Sequence, residues 1–190
     1  MPAEKQSFEF LMPAEEVRTL KTVVGRRWDR FRVGGGVIDW KWSRGVPSVY
    51  TVSELVVEAG ETFVIWADSL DLPDRTEEFR MVVSQPPLDY FRHAKPPLAP
   101  LRDFPADLSI TDFLKRKNSV QLARCSYTRA PDHSMPGAEI VFDWGLLFGN
   151  DLGSLLIFLD EHINLNLCVT TNDEVITELL KKETAELIAV

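Results

Sequence analysis

The chain has 190 residues, 45% of them apolar, and carries 21 basic against 29 acidic side chains for a net charge of −8. That apolar content excludes a wholly disordered chain. The acid excess argues against a general nucleic-acid coat, in which affinity comes from Lys and Arg neutralising phosphates.

In chain order, residues 7–11 alternate as a short strand, and Pro13 then opens a helix with Glu15 and Glu16 near its positive end. Val17, Leu20, Val24, Trp28 and Phe31 recur at helical spacing, so one amphipathic helix is expected up to the glycines at 34–36. Strands are expected over residues 37–42 and 48–52. Residues 54–58 and 62–67 read as a hairpin around Ala59-Gly60, and residues 78–84 as a further strand.

Residues 85–105 hold six of the twelve prolines, which rules out a central strand or a helix interior. Leu88, Tyr90, Phe91, Leu98, Leu101 and Phe104 make this an ordered loop rather than a free linker, a sub-domain boundary at most. A short helix capped by Ser109 is expected to reach about Lys117. Residues 120–127 pair with 138–144, and 155–159 with 165–170. A closing helix starts at Thr171-Asn-Asp-Glu174, read as a capping box, and runs through Leu187 and Ile188. The expectation is a single α+β domain over 1–190: mostly antiparallel sheet, an N-terminal amphipathic helix and a C-terminal capping helix.

Residues 1–10 lack the charged-then-apolar order of a secretory signal. The longest strongly apolar run, residues 152–159, is far below the roughly 20 residues that span a bilayer. Cys125 and Cys168 are too few for a disulfide framework or a zinc site, and their apolar surroundings read as buried free thiols. A cytoplasmic location is expected, without a cofactor or a bound metal.

Charge is unevenly distributed. Between residues 21 and 45, Lys21, Arg26, Arg27, Arg30, Arg32, Lys41 and Arg44 oppose only Asp29 and Asp39, a local balance of +5. From Asp132 onward eleven acids oppose only Lys181 and Lys182. The basic strip reads as solvated helix surface, as a surface docking on the acidic C-terminal third within or between subunits, or as a recognition surface for an acidic protein or a nucleic acid. In the strand at 37–42, period-2 alternation puts Trp40 and Trp42 on one face and Asp39 and Lys41 on the other. Candidate binding residues are Arg26, Arg27, Arg30, Lys41 and Arg44 on the basic side, with Asp151, Asp160 and Glu161 on the acidic side.

Asp39-Trp-Lys41 also matches, in its barest form, the carboxylate-x-Lys element of metal-dependent nucleases, with Asp29 or Glu54 as a second ligand. Asp143, Asn150, Asp151, Asp160, Glu161, His162 and Asn164 offer oxygen ligands without the spacing of a calcium loop. His93, His133 and His162 sit in no hydrolytic arrangement, and no phosphate loop, dinucleotide fingerprint or nucleophile elbow is present. The function read from these features is a non-enzymatic protein-binding module of immunity-protein, chaperone or adaptor type. Its partner is another protein, basic if the acidic third is the interface, with a homo-oligomer as a further outcome and nucleic acid disfavoured. The alternative is a metal-dependent nuclease or hydrolase using Asp39 and Lys41.

Overall fold

In a computed structural model of the chain, the described residues are 6–34, 38–42, 46–71, 77–86, 99–100, 113, 115–131, 135–159 and 166–190. The chain opens with β1 (Ser7–Phe10), α1 (Ala14–Lys21), β2 (Arg30–Gly34), β3 (Ile38–Trp42) and β4 (Val46–Val52). Then come β5 (Glu54–Glu58), β6 (Thr62–Asp71), β7 (Glu77–Ser84) and β8 (Ala99–Pro100). The last part holds β9 (Ser119–Thr128), β10 (Glu139–Asn150), β11 (Gly153–Leu159), β12 (Leu167–Thr170), α2 (Asp173–Lys182) and β13 (Glu186–Ala189). The fold is α+β, a mostly antiparallel strand majority with an N-terminal and a C-terminal helix among the described residues.

Two sheets share the work. The larger is ordered β13-β9-β10-β11-β12-β4-β3, and the smaller β7-β6-β5-β2-β8. The chain crosses between them at Ser53, the single residue separating β4 from β5. Alternation places Leu55 and Val57 of β5, Phe63 and Ile65 of β6, and Met81 and Val83 of β7 in one core, together with Leu146, Phe148, Leu155 and Ile157 of the larger sheet. Cys125 and Cys168 are buried free thiols in strand interiors, as expected. Among the described residues, no helix is long and apolar enough to cross a membrane.

β10 organises the larger sheet. One of its edges pairs with β9 along its length, while the other is shared between β1, which runs parallel to residues 139–142, and β11, which takes residues 145–150. The changeover falls at a bulge between Asp143 and Gly145. Gly145 is needed there, because a Cβ would lie 2.8 Å from the Ile157 carbonyl oxygen and 3.2 Å from Phe158 Cβ.

Two buried carboxylates fix α1 between the sheets. Asp143 Oδ2 accepts the Met12 N–H at 2.7 Å, and its Oδ1 accepts Arg124 Nε at 2.9 Å. Glu16 lies in the first turn of α1, as its charge predicts, but its side chain turns to the smaller sheet. It accepts Arg80 Nη1 at 2.8 Å and the Val83 N–H at 2.9 Å. Val83 lies on β7, at the edge of its sheet, so Glu16 closes a backbone donor that an edge strand leaves open.

Three expectations are corrected. The first helix stops at Lys21 and does not extend to Phe31, which lies on β2 paired with Val57. Thr22, Val23 and Val24 form a β-branched run of low helix propensity, and Gly25 follows at φ +70°. The cap of α2 is Asn172 rather than Thr171, with Asn172 Oδ1 accepting the amides of Glu174 and Val175. Thr171 is buried, and its hydroxyl has no hydrogen-bond partner among the described residues.

The third concerns Leu187 and Ile188, which lie on β13 against β9 and not on the closing helix. That helix ends in a Schellman arrangement: Thr184 donates to the Lys181 carbonyl, Ala185 to the Leu180 carbonyl, and Thr184 takes the left-handed position at φ 49°. Leu180 and Ala185 both pack against the core, the apolar contact that accompanies this ending.

The hairpin at Ala59-Gly60 and the β9–β10 and β11–β12 pairs form as read. From the proline-rich stretch, Ala99 and Pro100 make a short outermost strand on β2, a position that tolerates proline. Of the short helix expected over 109–117, Phe113 is helical, while residues 101–112 and 114 lie outside the described residues.

Candidate docking surface

The basic strip is divided by the fold. Arg26 and Arg27 leave the end of α1 in a loop and are exposed, whereas Arg30 opens β2 in register with Glu58. Lys41 lies on β3 at the far edge of the other sheet, and Arg44 is outside the described residues. The strip is therefore not one surface. Its first part, however, acquires new neighbours.

The loop at 25–29 is fastened on two sides. Towards the smaller sheet, the Asp29 N–H donates to the Glu58 carbonyl at 2.6 Å, and Asp29 Oδ2 accepts the Gly60 N–H at 3.2 Å. Gly60 adopts φ +81°, which suits glycine in this tight turn. Towards the larger sheet, the Gly25 N–H donates to the Asn118 carbonyl at 2.8 Å, and the Asn118 N–H to the Arg26 carbonyl at 3.4 Å. Trp28 is buried under this loop, edge-on to Phe148 at 4.7 Å and to Phe113 at 6.4 Å between ring centroids.

Asn118 is itself buried, and its side chain is used on both ends. Its Oδ1 accepts Asn150 Nδ2 at 2.7 Å, and its Nδ2 donates to the Arg116 carbonyl at 3.3 Å. Asn150 also donates to the Phe113 carbonyl at 3.2 Å and accepts the Leu152 N–H at 2.8 Å. The pair thus ties three pieces together: the loop at 25–29, residues 113–118, and the β10–β11 turn. A polar network of this kind rigidifies a site only when its members are satisfied, and here they are.

One consequence is electrostatic. Lys115, Arg116 and Lys117, all exposed, lead into Asn118, whose backbone pairs with Gly25 and Arg26. This triplet and the exposed Arg26-Arg27 thus adjoin along the backbone, while the Arg26 guanidinium itself donates to the Ala59 carbonyl at 3.5 Å. Reading the sequence passed over Lys115-Arg116-Lys117 as the end of a short helix. The signal was the basic triplet itself, but its meaning came from a contact spanning about ninety positions. Asp151, a candidate on the acidic side, sits within this basic junction: Arg116 Nη1 is 3.7 Å from its Oδ2, with both side chains largely in solvent. Asp160 and Glu161 lie outside the described residues, as do His93, His133, His162 and Asn164.

The carboxylates proposed for metal chemistry disperse. Asp39 and Lys41 pair with Tyr50 and Pro47, and the register slips past Ser48 between Trp40 and Lys41, so simple alternation does not describe this strand pair. Glu54 belongs to the other sheet, and Asp29 holds the Gly60 amide. In the oxygen-rich group, Asp143 is occupied by Met12 and Arg124, and Asn150 by Asn118. Among the described residues, no three His, Cys, Asp or Glu side chains are grouped to hold a metal ion.

These features define a two-sheet α+β protein with a basic junction where its N-terminal loop meets β10–β11. Comparison with protein-family models, with curated proteins and with solved structures finds no match to this chain.

Proposed function

We propose that this chain is a non-enzymatic protein-binding module that docks an acidic segment of a partner protein on the junction formed by Arg26, Arg27, Lys115, Arg116 and Lys117. The observation that carries the reading is the backbone pairing of Asn118 with Gly25 and Arg26, which joins two exposed basic runs, Arg26-Arg27 and Lys115-Arg116-Lys117, from distant parts of an acidic chain. The hydrogen bond between buried Asn118 and half-buried Asn150 supports a preorganised surface, whose partner would lose less freedom on docking.

An acidic peptide segment suits this surface better than nucleic acid. The molecule is at −8 overall, and Asp29 and Asp151 flank the cations, so a long phosphate backbone would meet repulsion along most of its track. Each exposed charge contact contributes about 0.2–1 kcal/mol. Five of them give roughly 1–5 kcal/mol, enough to steer and orient a partner but not to bind it tightly alone.

The test is fluorescence anisotropy with a labelled decapeptide of alternating Glu and Ser, titrated with the wild-type protein and with Arg26→Glu/Arg27→Glu. The expected result is saturable binding that weakens with salt and falls at least about tenfold in the double variant. Equal binding by the two proteins would sink the assignment to this junction.

A further inference from the structure

The face of the smaller sheet turned away from the shared core carries a cleft of about 300 Å³, lined among the described residues by Ser53, Glu54, Val64, Trp66, Ala67, Ser84 and Pro86. We propose that this cleft binds a small organic ammonium ion, held between the indole of Trp66 and the carboxylate of Glu54. The site is separate from the basic junction and does not depend on it.

Register builds the cleft. Glu54 pairs with Trp66 across β5 and β6, and Val64 with Ser84 across β6 and β7. Directly opposed residues share a face, so these four side chains project together. Their neighbours Leu55, Ile65 and Val83 point the other way, into the core. Ser53 and Pro86, just beyond β5 and β7, close the ends.

The lining decides the ligand. Trp66 is half-buried and lines the cleft, and indole is the ring that attracts cations best, the more so when water is displaced. The adjacent carboxylate adds charge of the matching sign, and among the described residues that line the cleft none is basic. Glu54 already has a partner within the fold, but a carboxylate offers about four acceptor positions and takes further donors. Among the described lining residues Glu54 is the one carboxylate, short of the ligand set of a metal centre, whereas an alkylated ammonium needs only a charged wall and apolar surroundings such as Val64 and Pro86. The volume is at the lower end for small-molecule sites and suits a group the size of choline.

The test follows the Trp66 indole N–H by NMR, assigned with Trp66→Phe, during titration with choline and with its neutral isostere 3,3-dimethylbutan-1-ol. Choline should give a saturable shift, and the isostere should bind roughly threefold to thirtyfold more weakly. Glu54→Gln should weaken choline about threefold to tenfold and leave the isostere unchanged. Because the isostere is compared on the unaltered protein, the result stands even if a variant folds poorly. The same cation chemistry can arrive as a protein side chain, so Nα-acetyl-arginine amide forms a third arm. If it binds more tightly than choline, the cleft receives a side chain rather than a free ammonium. Equal affinity for choline and the isostere, or no saturable shift with any of the three, would overturn the proposal.

Discussion

Replacing Asp143 by alanine is the sharpest probe of how the fold is held. Its carboxylate is 3% exposed and serves the Met12 N–H at 2.7 Å and Arg124 at 2.9 and 3.4 Å. Alanine leaves the Met12 amide buried without its charged acceptor, worth about 1.5–3 kcal/mol. Arg124 keeps 28% of its side chain in solvent, so its loss is discounted to about 1 kcal/mol rather than the full cost of orphaning a buried charge. The total is about 2.5–4 kcal/mol, or roughly 10 °C in Tm for a protein of this size. Asp143→Asn retains an oxygen for Met12 and should cost about half as much. Urea denaturation followed by tryptophan fluorescence measures both. A cost below about 1 kcal/mol for alanine, or equal costs for the two variants, would refute the argument that Met12 dominates.

Further predictions follow from other points in the fold. Thr184→Gly should stabilise the protein by about 1 kcal/mol in the same denaturation assay, since threonine at φ 49° bears a steric cost that glycine avoids. Asn172→Ala should cost about 1 kcal/mol, whereas Thr171→Val, which removes a buried hydroxyl without a partner among the described residues, should be neutral or stabilising. The reverse ranking would restore Thr171 as the cap. Gly145→Ala should cost about 2–3 kcal/mol because its Cβ would press on the Ile157 carbonyl at 2.8 Å. Substitution of the more open Gly137, which has nothing within 4 Å of a Cβ, would carry only the strain of φ +78° and serves as a comparison.

Where sequence and structure agree, the deciding interactions are local. The β5–β6 hairpin follows from alternation around Ala59-Gly60, and β9 and β10 from two long apolar runs joined by a turn. β2 was missed because Val17, Leu20, Val24, Trp28 and Phe31 imitate a helical stripe. Arg30-Phe31-Arg32-Val33 also alternates at period 2, and pairing with distant β5 decides in favour of the strand. The end of α2 is hidden for a different reason: Thr184 takes a position where glycine usually signals the stop. The basic junction was half legible. Arg26 and Arg27 stood out by charge, but their union with Lys115, Arg116 and Lys117 depends on Asn118 and Asn150, whose partnership no local pattern announces.

The central claim is that residues 25–29 and 115–118 act as one docking surface. Backbone amide NMR during titration with the acidic decapeptide tests it most directly. The amides of both segments should shift together along a single saturation curve, and both responses should vanish in Arg26→Glu/Arg27→Glu. Shifts confined to one segment, or centred on another part of the molecule, would contradict it.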